Sequence, residues 1–98
     1  MTLGFHPLAD RELTEAAQFY EGQAGGLGGD FLDEIQAMLD LLRSFPELGR
    51  PLGGTLRSLP TRRFPYSLVY DLQPDYLRIL AVAHHRRRPR YWTGRTGS

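Results

Sequence analysis

Neither cysteine nor lysine occurs in this chain of 98 residues, and each absence removes a class of chemistry. Without thiols there is no disulfide, no cysteine nucleophile and no thiolate metal site. Without lysine there is no amine to serve as base or nucleophile. All twelve basic side chains are arginines. That composition could reflect selection for phosphate-binding forks, but it fits a codon bias better, given eleven glycines and seven prolines. No apolar run nears the roughly 20 residues that a membrane span takes, and the first residues carry no signal-peptide pattern. A soluble, cytoplasmic protein with no membrane partner is the expectation. Only three histidines are present; with no cysteine beside them, neither a metal site nor a cofactor is expected.

The remaining composition is that of a globular chain, with 41% hydrophobic and 23% charged residues. Its length suits one domain over residues 1–98, near the small end of what buries its own core. The net charge of +1 conceals a strong asymmetry. Residues 1–56 hold three arginines against nine acidic residues, and residues 57–98 hold nine arginines against Asp71 and Asp75. The halves therefore carry −6 and +7. A basic half of that density suits a polyanion or an acidic partner, or the two halves attract each other within one fold.

Leu3 to His6 is a brief apolar stretch halted by Pro7, and predicts a short first strand. From Leu8 onward, Leu13, Ala16, Ala17 and Tyr20 recur at helical spacing behind Asp10, Glu12 and Glu15, which predicts a helix of about three to four turns. Five glycines within Gly22–Gly29 predict a connector; a phosphate-cradling loop would need a strand before it. Asp30 then starts a second helix, with Phe31, Ile35, Met38, Leu42 and Phe45 on one face and Pro46 at its end. Glu47–Gly54 is expected to be loop. Leu56–Phe64 is expected to be extended but interrupted by Pro60, hence at a sheet edge or bent. Tyr66–Leu72 and Tyr76–His84 are predicted strands, paired as a hairpin through Gln73-Pro74-Asp75. Ile79–Ala83 is apolar on both faces, which predicts a strand covered on both sides. The fold class is α+β: a short N-terminal strand, a helical hairpin, then an antiparallel three-stranded meander with both helices on one face.

The residues able to carry chemistry cluster after that last strand. His84 and His85 are adjacent on an extended backbone, so they point to opposite faces and cannot easily share a metal. Either is a packed strand-end histidine, or His85 exchanges protons in RNA cleavage. Arg86, Arg87, Arg88 and Arg90 are followed by Tyr91 and Trp92. Interleaved charge and rings suit single-stranded RNA, whereas the plainer alternative is that Tyr91 and Trp92 pin the tail to the fold. Arg62 and Arg63 on the preceding strand extend the same surface or form an ordinary solvated edge.

The segments RRFPYSLVY, ILAVAH and RRRPRYWTGR, together with FHPLADREL near the start and GLGGDFLDEI before the second helix, resemble the RelE/ParE superfamily of toxins from bacterial type II toxin–antitoxin systems, including plasmid stabilisation proteins. The resemblance spans nearly the whole chain. It implies a growth-inhibiting toxin neutralised by a cognate antitoxin, in a complex that could be a heterotetramer. RelE-like members are messenger-RNA endonucleases acting on the ribosome; ParE-like members inhibit DNA gyrase and are not nucleases. Under the RelE-like pattern the catalytic candidates are His85, Arg87 and Tyr91, with Arg62, Arg63, Arg86, Arg88, Arg90 and Trp92 as nucleic-acid or target-binding residues. Ser67 departs from that pattern, because RelE-like toxins place an arginine there. A histidine at the position of His84 resembles ParE-like members, which inclines the expectation towards gyrase. A degenerate, non-toxic binding module is the remaining alternative.

Overall fold

The computed structural model describes residues 1–96. The chain runs β1 (Thr2–Phe5), α1 (Pro7–Gln23), α2 (Leu27–Ser44), β2 (Arg50–Gly53), β3 (Leu56–Pro60), β4 (Tyr66–Leu72) and β5 (Tyr76–His84), and ends in a short 3-10 turn at Thr93–Arg95. The strands form one sheet in the order β1-β5-β4-β3-β2. β1 is parallel to β5, and the other three neighbouring pairs are antiparallel. This is the expected α+β arrangement, with one strand more than the sequence suggested. Arg50–Gly53, read as loop, pairs with β3 and becomes the sheet edge. β3 is thereby an inner strand, and its Pro60 sits at the terminal pairing position, where a missing N–H costs least. The extended stretch stops at Pro60, so Arg62 and Arg63 belong to the bend between β3 and β4.

His6 caps α1, its Nδ1 accepting from the Leu8 N–H at 3.0 Å, with Pro7 following at the first helical position. The glycine run is shorter as a connector than its composition suggested. α1 persists to Gln23 and α2 begins at Leu27, ahead of Asp30, so Gly22, Gly28 and Gly29 are helical. Two observations explain this. The Glu21 carboxylate accepts from the Gly26 and Gly28 N–H groups, supplying the start of α2 with an anionic cap from the neighbouring helix. Gly28 also lies where the helices touch: a Cβ there would stand 2.5 Å from the Ala17 carbonyl oxygen. The helices approach closely because position 28 has no side chain.

The apolar stripe of α2 buries Phe31, Ile35, Met38 and Leu42 against the sheet, alongside Ala9, Ala16 and Ala17 of α1. Phe45 leaves the stripe because the helix ends at Ser44, and its ring is 61% exposed. From the sheet, Leu68, Tyr70, Leu77, Ile79 and Val82 face the helices. Val69 and Ala81 face the opposite side, where Trp92 covers them. Tyr70 is fixed at both ends of its hydroxyl, donating to the Pro46 carbonyl and accepting from the Gly49 N–H, which fastens the segment before β2 to the middle strand.

The pairing of β4 with β5 contains a bulge. Val69 opposes Ala81 while Tyr70 opposes Ile79, leaving Leu80 without a partner. Beyond it the side chains of β5 exchange faces: Leu77 and Ile79 precede the bulge on the helix side, and Val82 follows on that same side. Ile79–Ala83 is covered on both faces, as its composition predicted.

Gly28→Ala is expected to destabilise the fold by about 2 kcal/mol through overpacking. Gly29→Ala, with open space around its Cβ, should be neutral or slightly stabilising. Urea unfolding of the two variants checks this, and equal midpoints would remove the close-approach argument. The pKa of His6 is held below its ordinary value of 6.5, first by burial and then by the Arg78 and Arg95 charges. The neutral ring is the capping form, so its contribution is complete above pH 6.5 and is lost as pH falls through the depressed value. His6→Asn, which keeps a capping side chain, should show a shallower loss of stability over that acid window.

Candidate functional site

The face of the sheet turned away from the helices is partly roofed by the chain after β5. Between them lies a cleft of about 430 Å³. Its floor is Ser58 of β3, Ser67 and Val69 of β4 and Ala83 of β5; Arg50 and Leu52 of β2 form one side, and residues from His84 to Trp92 form the roof. Among the described residues no carboxylate lines it, whereas four arginines and two histidines do. At its floor the Ser67 hydroxyl and His85 Nε2 are 2.9 Å apart.

The two adjacent histidines do face opposite ways. His84 packs its ring edge-on against Tyr66 on the helix side, centroids 4.9 Å apart, and its Nδ1 accepts from the Arg86 N–H. It is thereby an anchor for the turn into the roof. Among the described residues, no group of three histidines and acids lies close enough to hold a metal ion.

The roof is held by a side chain whose importance the sequence did not disclose. Glu12 of α1 reaches the edge of β5 just past the bulge, where β1 has already ended. One carboxylate oxygen accepts from the Val82 N–H at 3.1 Å, and both oxygens accept from Arg95 at 2.9 and 3.0 Å. The Tyr91 hydroxyl donates to it at 2.7 Å, and Arg87 stands 4.0 Å away. Arg95 also donates to the Leu80 carbonyl. The backbone groups that the bulge frees are thus satisfied by a bidentate ion pair with little solvent access. Glu12 and Arg95 lie 83 positions apart, and in sequence Glu12 is only one of several acids in the first half of a helix.

The expected catalytic trio is divided by this geometry. His85 points to Ser67, while Arg87 and Tyr91 converge on Glu12, the guanidinium lying 3.9 Å from the centre of the Tyr91 ring. The Tyr91 phenol is pushed well above its ordinary pKa, first by burial and then by the Glu12 hydrogen bond. A phenol so held is a poor general base. The Arg95 guanidinium is raised as well, chiefly by its hydrogen bond to Glu12.

Of the expected binding residues, Trp92 is 5% exposed and packs on Val69 and Ala81. It pins the tail and offers no free face for stacking. Arg90 has φ 59°, an unusual value for a non-glycine residue; it is held there by a hydrogen bond to the Leu52 carbonyl and by lying 5.8 Å from the Trp92 ring centre. Arg86 and Arg88 are exposed, and Arg88 lines the cleft whereas Arg86 does not. Arg62 and Arg63 do not join this surface. Their backbone N–H groups donate to Glu34 of α2, and the Arg63 guanidinium lies 3.7 Å from Asp30. Arg50, passed over in the sequence, does line the cleft.

A second, shallower groove of about 260 Å³ runs between α1 and the uncovered edge of β5, lined by Glu12, Ala16, Phe19, Tyr66, Val82 and His84 among others. Phe19 is 58% exposed at its side.

With this geometry established, comparison with known proteins is specific. The sequence model of the family described as "ParE toxin of type II toxin-antitoxin system, parDE" matches residues 3–89. Among solved structures, a chain from the "Chromosomal ParDE TA system from P. aeruginosa" is similar, with 19% identity over 86% of this chain and 95% of that one, at a TM-score of 0.64. At that identity the likeness establishes the fold. No curated protein matches the sequence.

The Glu12 network yields a stability prediction. Glu12→Ala leaves the Arg95 guanidinium and the Val82 N–H without their acceptor and should cost about 3–5 kcal/mol. Tyr91→Phe removes one charge-assisted hydrogen bond and should cost about 1.5 kcal/mol. Urea unfolding measures both; a Glu12→Ala midpoint equal to that of the parent would show that the tail is held by other means.

Proposed function

The chain belongs to the family of ParE toxins of type II toxin–antitoxin systems, and from that premise we propose that it inhibits growth by obstructing DNA gyrase and is neutralised by a cognate antitoxin. The observation that carries the choice of target is the Tyr91 hydroxyl, which donates to Glu12. Cleavage of RNA needs a base for the 2′-hydroxyl, an acid for the leaving oxygen and cations around the developing charge. In this chain two of the three groups that would supply those roles are committed to holding the tail. Ser67, where RelE-like toxins resemble one another in carrying an arginine, removes a further cation. A binding toxin needs only a stable surface, and the tail is tied down as such a surface requires. The antitoxin follows from the family and is supported by the similar chain, which comes from a ParDE system.

No helix among the described residues is long and apolar enough to cross a membrane, which is compatible with a target inside the cell. Arg86 and Arg88 are exposed on the segment after β5, and an acidic antitoxin segment is the natural complement of that surface.

Expression of the chain alone should arrest growth and induce a DNA-damage response, and the purified protein should stop supercoiling by gyrase. Tyr91→Phe should retain that inhibition within about twofold, because its cost falls on stability. Intact supercoiling together with transcript cleavage that Tyr91→Phe abolishes would replace this reading with the endonuclease one.

A further inference from the structure

We propose that the cleft on the open face of the sheet is a binding site for a phosphate ester, with Arg50 and Arg88 as its cations and the Ser67 hydroxyl, held by His85, as a further donor. The composition of the walls selects the charge of the ligand. Fourteen described residues line the cleft and none of them is acidic, so an anion entering it meets no repulsive partner among them, and its low-dielectric floor of Val69 and Ala83 strengthens every contact. Two of its four arginines are already used. Arg87 lies over Tyr91 and beside Glu12, and Arg90 donates to the Leu52 carbonyl. Arg50 and Arg88 have no ion-pair partner among the described residues; both are exposed and both line the cleft, one from β2 and one from the roof.

That hydroxyl donor is built into the floor. Ser67 lies opposite Ala83 on the neighbouring strand, and its hydroxyl is 2.9 Å from His85 Nε2. With the hydrogen on Nε2, the imidazole donates to the serine oxygen, and the hydroxyl hydrogen is free to turn to a phosphate oxygen. A tetrahedral phosphate with several acceptor oxygens can engage this donor and both guanidinium forks together, which a planar carboxylate does less well. The cleft is also of small-ligand size, within the roughly 300–1,000 Å³ usual for such sites.

Arg90 supplies a separate indication. Its left-handed backbone is unfavourable for a residue with a Cβ, and three contacts hold it: the Leu52 carbonyl, the Trp92 ring, and the Thr93 N–H and hydroxyl on its own carbonyl. Strain maintained in this way marks a segment whose position matters. Here it fixes the turn carrying Arg88 and Pro89 over the cleft.

The same phosphate chemistry is carried by a free nucleotide and by a nucleic-acid strand. The full chain is therefore titrated, without gyrase, with inorganic phosphate, adenosine monophosphate and a short single-stranded oligonucleotide, each followed by calorimetry and by the amide signals of Ser67 and His85. Saturable binding of adenosine monophosphate that moves both signals supports the site with a nucleotide as its ligand. Binding of the oligonucleotide alone, weakened by salt, supports it with a strand as its ligand. Arg50→Gln and Arg88→Gln, both at exposed positions, should each weaken binding about fivefold to tenfold, and Ser67→Ala about threefold, with unchanged circular dichroism. Absence of all three ligands from the cleft, insensitivity to these substitutions, or equally tight binding of an oligoglutamate peptide would overturn the proposal. Because gyrase is absent from the assay, failure here and failure of the gyrase reading are separate results.

Discussion

A carboxylate withdrawn from water has to find a full set of donors, and Glu12 finds them on three parts of the chain that are remote in sequence. It accepts from the backbone of β5, from Arg95 and from Tyr91. The arrangement depends on the bulge at Leu80, which turns the Val82 N–H and the Leu80 carbonyl outward at a stretch of edge that β1 is too short to cover. An open strand edge is a hazard for a small sheet protein. Here a helix side chain and a tail side chain close it, and in doing so they fix both the packing of α1 on β5 and the path of the tail. Removing either charge leaves the other uncompensated, so the pair specifies the position of the tail more than it adds to net stability.

The same tie explains how the charge asymmetry is spent. Part of the attraction between the acidic and basic halves is internal: Arg95 and Arg87 with Glu12, and Arg63 with Asp30. These contacts lie on the helix side or at its margin. Of the arginines outside these pairs, Arg88 lines the opposite face, together with the exposed Arg50 of the acidic half. The −6 and +7 division therefore builds the fold in part, and the exposed arginines give the open face its sign.

The sequence exposed most of the scaffold because strands and helices with one buried face write their period into the chain. The stripe of α2 and the bounds of β4 and β5 were legible for that reason. The glycine run was misread because composition argues against helix there, whereas the contact of Gly28 with Ala17 and the capping by Glu21 are tertiary facts. β2 was missed because Arg50-Pro51-Leu52-Gly53 has no alternation; pairing with β3 and the Tyr70 anchor make it a strand. In the site, His85 and the arginine cluster were visible, and so was the choice between Trp92 as a stacking surface and as a pin, which its burial against Val69 decides. Glu12 and Arg95 were not legible, since nothing local distinguishes a helix acid that meets an arginine 83 residues later.

The bulge also decides which histidine faces which side. Counting forward from Ile79 in strict alternation, position 85 would share the helix face with Leu77 and Ile79, and position 84 would look into the cleft. The extra residue at Leu80 reverses that assignment: Val82 and His84 fall on the helix side, and Ala81, Ala83 and His85 on the open side. The register slip that frees the backbone for Glu12 and Arg95 is therefore the same one that brings His85 to Ser67. Closing the edge and furnishing the cleft are two results of one inserted residue, which couples the stability of the tail to the composition of the surface it roofs.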